Sequence, residues 1–159
     1  MHKYKFLIYS LFICCSLIGN DNNCHHDNNN FRCVKFIKNY DADTITFNIP
    51  NVHPLLGENI SIRVTNIDTP EMKTSNNCEK DLAQKSKLYV ESILKQAHRI
   101  DLINISRDKY FRIVADVIID GKSLTQLLLQ NKYGYQYDGG TKRIVNWCEF
   151  GKERLPASK

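Results

Sequence analysis

The fold of this chain is indicated by residues 44–67, which have the sequence TITFNIPNVHPLLGENISIRVTNI. Apolar and polar residues alternate over residues 44–49 and again over 59–67, and a period of two is typical of strands with one buried face. The residues between them include Pro50, Pro54 and Gly57, which favour a loop. A further apolar stretch ends at Tyr40, just before a turn. The sequence therefore predicts a meander of three strands.

Downstream of this meander, the apolar spacing changes to that of a helix. Apolar residues recur at three and four positions over residues 79–97 and again over 123–131, which predicts two helices. Residues 100–105 and 111–119 between them predict two more strands. The order β-β-β-α-β-β-α predicts an α+β fold that is mainly β, a five-stranded OB-fold barrel with two to three helices.

The two ends of the chain differ from the predicted domain, which covers residues 33–150. A basic start is followed by an uncharged apolar run over residues 6–19, the pattern of a signal peptide that is removed. A retained membrane anchor or a lipoprotein is the alternative, although the run is short for a bilayer crossing of about 20 residues. Residues 20–32 predict a flexible polar tail, and residues 151–159 predict a second polar tail.

Charge and cysteine content narrow the class of protein. The net charge is +5, and loss of Lys3 and Lys5 with the leader would leave +3, which favours a polyanionic partner without requiring one. Removal of residues 1–19 would also leave four of the six cysteines. An even number in an exported domain indicates two disulfides, with three pairings possible. A zinc site is the alternative, but it lacks the usual CxxC spacing.

Charged side chains cluster where the predicted strands end. The clusters are Asp41-Ala42-Asp43, Arg63, Asp68-Thr69-Pro70-Glu71 and residues 107–112. Hydrolysis of a phosphodiester needs oxygen ligands for a hard cation, a carboxylate base and guanidinium groups for the phosphoryl oxygens. Each cluster alone has a simpler interpretation, such as a turn, a strand terminus, a solvated charge or an Asp108–Arg112 ion pair. Together they match the needs of a phosphodiesterase.

Four of these motifs resemble the staphylococcal nuclease (thermonuclease) family, in the same order and at similar spacing. They are Tyr40-Asp41-Ala42-Asp43-Thr44, Ile62-Arg63-Val64, Ile67-Asp68-Thr69-Pro70-Glu71 and Asp108-Lys109-Tyr110-Phe111-Arg112. Residues 137–142 and Trp147-Cys148 are similar to members with an extended, cysteine-bearing end. The resemblance covers residues 33–148 and implies an OB-fold barrel.

The resemblance also implies a role for nine residues. The implied catalytic residues are Glu71 as general base, with Arg63 and Arg112 as phosphate clamps. The implied ligands of Ca²⁺ are Asp43, Asp68 and the backbone carbonyl of Thr69. The implied substrate-binding residues are Lys109, Tyr110 and Tyr137. Two glycines usual in the family are replaced here, by Ala42 and by Phe111. A positive φ at Ala42 would strain the turn by about 1 kcal/mol, whereas Phe111 would either reposition Arg112 or merely cover the end of the barrel.

The function implied is that of a secreted or periplasmic, calcium-dependent nuclease. It would hydrolyse single-stranded or unpaired DNA and RNA to products with a 3′-phosphate, as a monomer with no obligate protein partner and no membrane contact after leader removal. In extended members, cysteines similar to Cys78 and Cys148 form a bridge, which leaves Cys24 to pair with Cys33. The alternatives are a non-catalytic OB-fold module that binds nucleic acid or protein, and a disulfide-stapled surface scaffold.

Overall fold

A computed structural model describes residues 24–152 of the chain. This part contains the strands β1 (Lys35–Asn39), β2 (Thr44–Asn48), β3 (Ile60–Val64), β4 (Ile67–Asp68), β5 (Ile100–Arg107), β6 (Ile113–Ile119), β7 (Lys122–Ser123) and β8 (Tyr135–Gln136), with the helices α1 (Pro54–Gly57), α2 (Asn77–Gln96), α3 (Leu124–Gln130) and α4 (Trp147–Lys152). The predicted leader lies outside the described residues, as do residues 20–23 and 153–159 of the two predicted tails.

Five longer strands form the sheet that carries the domain. Their order is β1-β2-β3-β6-β5, and the neighbours are antiparallel except β3 and β6, which run parallel. The segment before β1 reaches the opposite edge of the sheet, where Phe31 and Leu102 exchange two backbone hydrogen bonds of 2.8 Å. This bridge brings the segment that leads into β1 against β5, the strand at the other edge of the sheet. The predicted α+β, mainly β architecture is confirmed.

The core fixes the register of the sheet. Buried side chains alternate along β2 and β3, and they pack with the apolar faces of α2 and α3. Burial of each large apolar side chain contributes about 1.5–3 kcal/mol, and a one-residue slip would expose the whole set. The register places Arg63 on β3 between Thr44 of β2 and Val114 of β6. Arg63 is thus held on the central strand between two neighbours.

Two predicted strands are shorter in the structure, each next to a residue with left-handed backbone. The strand predicted over residues 59–67 ends at Val64, because Asn66 has a φ of +59° and turns the chain into β4, which pairs with β8. The strand predicted from residue 111 begins at Ile113, since Phe111 has a φ of +62°. The loop predicted after β2 contains the single turn of α1.

Residues 24–32, predicted as a flexible tail, pack against β5 instead. Asp27 and Asn30 form a turn, Phe31 bridges Leu102, and a disulfide joins Cys24 to Cys33. These long-range contacts hold a segment whose polar composition suggests no packing. A second disulfide joins Cys78 to Cys148, so both expected pairings are confirmed. Within residues 24–152, none of the helices combines the length and apolar character needed to cross a bilayer.

Candidate active site

The first acidic motif forms a tight turn between β1 and β2. The Asp41 carboxylate accepts hydrogen bonds from the backbone N–H groups of Asp43 (3.1 Å) and Thr44 (2.7 Å). Ala42 is fully buried and has a negative φ, so the strain expected from a glycine conformation does not occur there. This turn directs Asp43 into the domain, where its side chain is almost completely inaccessible to solvent.

Arg63 joins the two acidic motifs. Its Nη1 donates to Asp43 Oδ1, and its Nη2 donates to Asp68 Oδ1 at 3.0 Å. The other oxygen of Asp43, Oδ2, accepts from the N–H (3.1 Å) and the hydroxyl (2.8 Å) of Thr69. Arg63 therefore lies within the domain, mid-strand, as the counterion of two buried carboxylates, and is not the outward solvated charge considered from the sequence.

The electrostatics of this cluster are dominated by burial and by an excess of acid. Burial, together with the nearby Asp41, raises the pKa of Asp43 to about 8, although Arg63 opposes the shift. Burial lowers the pKa of Arg63, but Asp43 and Asp68 outweigh that effect and the pKa is raised overall. Two carboxylates thus share one guanidinium, with the Asp41 carboxylate nearby, an arrangement that a further cation would stabilise.

The oxygen-only donors of this cluster suit a hard divalent cation. Asp43 and Asp68 each place a carboxylate oxygen beside the same guanidinium, and Thr69 follows Asp68 directly. Across residues 24–152, however, no three His, Cys, Asp or Glu side chains are grouped closely enough to form a metal site on their own. A cation bound here would complete its coordination with backbone carbonyls or water.

Two residues not expected from the sequence contact the second acidic motif. Lys142 Nζ lies 2.8 Å from Glu71 Oε1 and 3.0 Å from Asp68 Oδ1, and the Tyr135 hydroxyl donates to Asp68 Oδ2 at 2.9 Å. Burial lowers the pKa of Lys142, but the two carboxylates outweigh it and raise the pKa overall. Lys142 is the last residue of the motif of residues 137–142, so the sequence contained a signal from which its place in the site could have been predicted. Tyr135 carries no comparable signal.

The second arginine comes from the loop between β5 and β6. Asp108 organises this loop: its Oδ1 accepts from the N–H groups of Tyr110 (2.8 Å) and Arg112 (3.0 Å), and its Oδ2 accepts from Arg112 Nε at 2.7 Å. The Asp108–Arg112 ion pair considered from the sequence is therefore present. Lys109 and Arg112 both lie over the Tyr110 ring, at 5.4 and 5.5 Å from its centroid.

Phe111, where the family usually has glycine, adopts the conformation that favours glycine. Its φ is +62° and its side chain is 79% exposed. A left-handed residue of this kind costs about 1–2 kcal/mol. The Asp108 carbonyl accepts from Phe111 N–H, and Arg107 Nη1 donates to the Phe111 carbonyl at 2.8 Å. These bonds hold the loop, and Arg112 lines the same cleft as Arg63 and Glu71.

Most of the expected site residues line one open cleft of about 530 Å³. Of the nine, six face it: Arg63, Glu71, Lys109, Tyr110, Arg112 and Tyr137. The other three, Asp43, Asp68 and Thr69, are buried beneath Arg63. The cleft therefore combines a half-exposed carboxylate, four cationic side chains including Lys142, and aromatic rings above a buried acidic cluster. Such a surface can bind a phosphodiester and present a base to water.

Comparison with known proteins places the chain in a family. Residues 61–143 match the family model described as "Staphylococcal nuclease homologue". Two proteins of Bacillus subtilis (strain 168) are similar: Endonuclease YncB, 32% identical over 102 residues covering 55% of this chain, and SPbeta prophage-derived endonuclease YokF, 33% identical over 120 residues covering 65%. The aligned regions span 44% and 35% of those proteins.

The family match bears on both fold and ancestry. It contains α2, β5, β6 and α3 and all of β3 except its first residue, and it ends beside Lys142. The domain of this family is an OB-fold, so the predicted fold class is confirmed. The chain belongs to the family of staphylococcal nuclease homologues.

Proposed function

We propose that this protein is a secreted, calcium-dependent nuclease that hydrolyses phosphodiester bonds in single-stranded or unpaired DNA and RNA. One observation carries the proposal: the half-exposed Glu71 carboxylate shares a cleft with Arg63 and Arg112, directly above the buried Asp43 and Asp68. The names of the two similar proteins, both endonucleases, support the same reaction.

Glu71 is proposed as the general base. Half of its side chain is accessible, so water can reach the carboxylate, and the Lys142 ammonium lies 2.8 Å from Glu71 Oε1, where it orients the carboxylate. Water activated by Glu71 would attack phosphorus in line with the 5′ oxygen, leaving a product with a 3′-phosphate. A positioned base typically contributes about 10²–10⁴-fold to the rate.

Arg63 and Arg112 are proposed to bind the phosphoryl oxygens. In the free protein both guanidiniums are paired with carboxylates, Arg63 with Asp43 and Asp68, and Arg112 with Asp108. A bound phosphate would take over part of these hydrogen bonds, and the planar guanidinium suits two phosphate oxygens at once. Lys109 and Tyr110 would contact a terminal phosphate, and Tyr137 would stack on a base.

Asp43, Asp68 and the backbone carbonyl of Thr69 are proposed to hold Ca²⁺. The excess of buried acid around Arg63 favours an added cation, and oxygen donors match its preference. A bound divalent ion polarises a phosphoryl oxygen and offsets developing negative charge. Two disulfides support a location outside the reducing cytoplasm, either secreted or periplasmic. We further propose a monomer without an obligate protein partner.

Digestion of denatured DNA tests the proposal. Residues 20–159 should degrade single-stranded DNA and RNA with added calcium and stop when a chelator is present. Activity should fall as salt rises, because phosphate binding releases counterions. Cleavage that continues unchanged in the chelator would refute calcium dependence.

A non-catalytic binding module is the second candidate, and one observation favours it. Arg63, Arg112 and Glu71 each have a protein partner within the domain, as charges do when they serve structure alone. Such a module would bind single-stranded oligonucleotides with or without calcium and leave them intact, which the same digestion experiment would show.

A further inference from the structure

Tyr40 is an aromatic residue that the folded protein leaves about half exposed. It lies at the end of β1, immediately before the acidic turn, and is 48% exposed. Its backbone N–H donates to the Thr44 carbonyl at 2.9 Å, which fixes the position of the residue. No hydrogen bond described within residues 24–152 engages its hydroxyl. About half of the residue is therefore open to solvent, and no hydrogen bond described within residues 24–152 accounts for a hydroxyl at this position.

The position of Tyr40 points to the substrate. The residue lines the same 530 Å³ cleft as Arg63, Glu71 and Tyr110. The pairing of the strands shows which elements lie on either side of Arg63. Thr44 of β2 is its neighbour on one side, and Val114 of β6 is its neighbour on the other. Tyr40 precedes Thr44, and Tyr110 precedes Val114, each by four residues. The two tyrosines therefore approach the cleft from opposite sides of Arg63.

The distance between the β2 side and the β6 side of the cleft suits a single nucleic-acid strand that crosses the site. Neighbouring strands lie about 4.8 Å apart, so β2 and β6 are separated by about 10 Å with β3 between them. Three of the four cationic groups of the cleft, Arg63, Arg112 and Lys109, belong to β3 and to the loop before β6, while the fourth, Lys142, is paired with Glu71 and Asp68. Tyr40 supplies an aromatic surface on the other side, where a base next to a bound phosphate could stack.

We infer that Tyr40 is a nucleobase-stacking residue that binds an unpaired base on the β2 side of Arg63, opposite Tyr110. This inference rests on the proposed function for the identity of the substrate. An aromatic ring accepts any base on its face, so the contact favours single strands without reading sequence. A base within a duplex is already stacked and paired, so its ring is not accessible to Tyr40 and the residue would not contribute to the binding of a duplex.

A tryptophan reporter tests the contact directly in the full chain. Trp147 is the only tryptophan and is buried, so Tyr40→Trp adds one exposed indole. Emission should be quenched when a short oligothymidylate is added in a chelator, where the proposed hydrolysis is absent. Tyr40→Ala should weaken oligonucleotide binding by about 5- to 100-fold, the range for loss of one stacked base. Tyr40→Phe should bind like the wild type.

Ile37→Ala is the matched control. Ile37 lies on the same strand, is 42% exposed and does not line the cleft, so this variant should bind like the wild type. In turnover assays with calcium, Tyr40→Ala should raise KM by a larger factor than it lowers kcat. The melting temperatures of all variants establish that they are folded.

The outcomes separate this inference from the proposed function. Binding that depends on Tyr40 without any cleavage would refute the nuclease and leave the stacking role supported. Cleavage with oligonucleotide affinity unchanged in Tyr40→Ala, or unquenched emission of Tyr40→Trp at saturation, would refute the stacking role alone. Absence of both binding and cleavage would refute both.

Discussion

Replacement of Arg63 by lysine separates the shape of this residue from its charge. The guanidinium contacts Asp43 through Nη1, and Asp68 and the Ile67 carbonyl through Nη2. Lysine offers one nitrogen on a flexible stem and cannot satisfy two carboxylates in the same planar arrangement. The substitution therefore keeps a positive charge but leaves at least one buried acid with a poorer partner.

The structure sets the size of the effect on stability. The Arg63 side chain is only 14% exposed, so solvent screens its hydrogen bonds little. Loss of one hydrogen bond to a charged group costs about 1.5–3 kcal/mol. For a domain of this size each kcal/mol lowers Tm by about 4 °C, which gives an expected decrease of about 6–12 °C. Arg63→Ala should cost about 3–5 kcal/mol, as expected when a buried ion pair loses one partner.

The effect on catalysis should be larger than the effect on folding. Loss of one group that stabilises transition-state charge lowers kcat by about 10²–10³-fold, and lysine should recover less than about tenfold of that loss. The assay is kcat on denatured DNA with calcium at a temperature where circular dichroism shows every variant folded. A folded Arg63→Lys protein with near wild-type kcat would refute the two-carboxylate geometry as the reason for arginine.

Arg32→Lys is the matched control for this experiment. Arg32 is also partly buried and paired with one carboxylate, Asp101, at 3.4 Å, but it lies outside the cleft. It should keep kcat within about threefold of wild type, because Asp101 touches no proposed site residue. Arg107 is less suitable, since it donates to the Phe111 carbonyl and so supports the loop that carries Arg112.

Three further predictions concern the base, the disulfides and pH. Glu71→Gln should lower kcat by about 10²–10⁴-fold with little change in Tm; a loss below tenfold would assign the base elsewhere. Removing the Cys78–Cys148 bond, which closes 70 residues, should cost about 4 kcal/mol in urea unfolding, against about 2.5 for the 9-residue Cys24–Cys33 loop; equal losses would contradict the loop-length argument. Because the pKa of Asp43 is raised to about 8, the folded protein holds this proton more tightly than the unfolded chain. The contribution of Asp43 to the stability of the metal-free protein should be full below about pH 4 and be lost as pH rises through about 8. Calcium affinity should increase over the same interval, and Asp43→Asn should flatten this part of the pH dependence of stability.

The parts of the fold that could be predicted are those encoded by local patterns. Alternation along β2 and β3 and the three-four spacing of α2 reflect burial of one face, and burial determines both elements. The ends of β3 and β6 could not be predicted, because they depend on single left-handed residues, Asn66 and Phe111. Hydrophobic periodicity carries no information about such residues.

The residues of the candidate site that belong to short sequence motifs could be predicted. The residues that join the site only through long-range contacts could not. The six expected residues that line the cleft belong to short motifs, one within β3 and the others in the loops that adjoin the strands. Tyr135 and Lys142 reach Asp68 from more than 60 positions away, and only the folded chain shows which hydrogen bonds they make. The packing of residues 24–32 was missed for the same reason, since a bridge to β5 and a disulfide hold a segment of polar composition.

The Cys78–Cys148 bond makes the completeness of the cleft depend on the redox state of its surroundings. Tyr137 and Lys142 lie in the exposed stretch between β8 and α4, and α4 is fastened to the start of α2 by this bond. In a compartment that keeps thiols reduced, the fastening is absent and this wall has greater conformational freedom. Under the proposed location outside the cytoplasm, oxidation would act as a maturation step, and the binding surface would be complete only after both cysteines had reached an oxidising compartment.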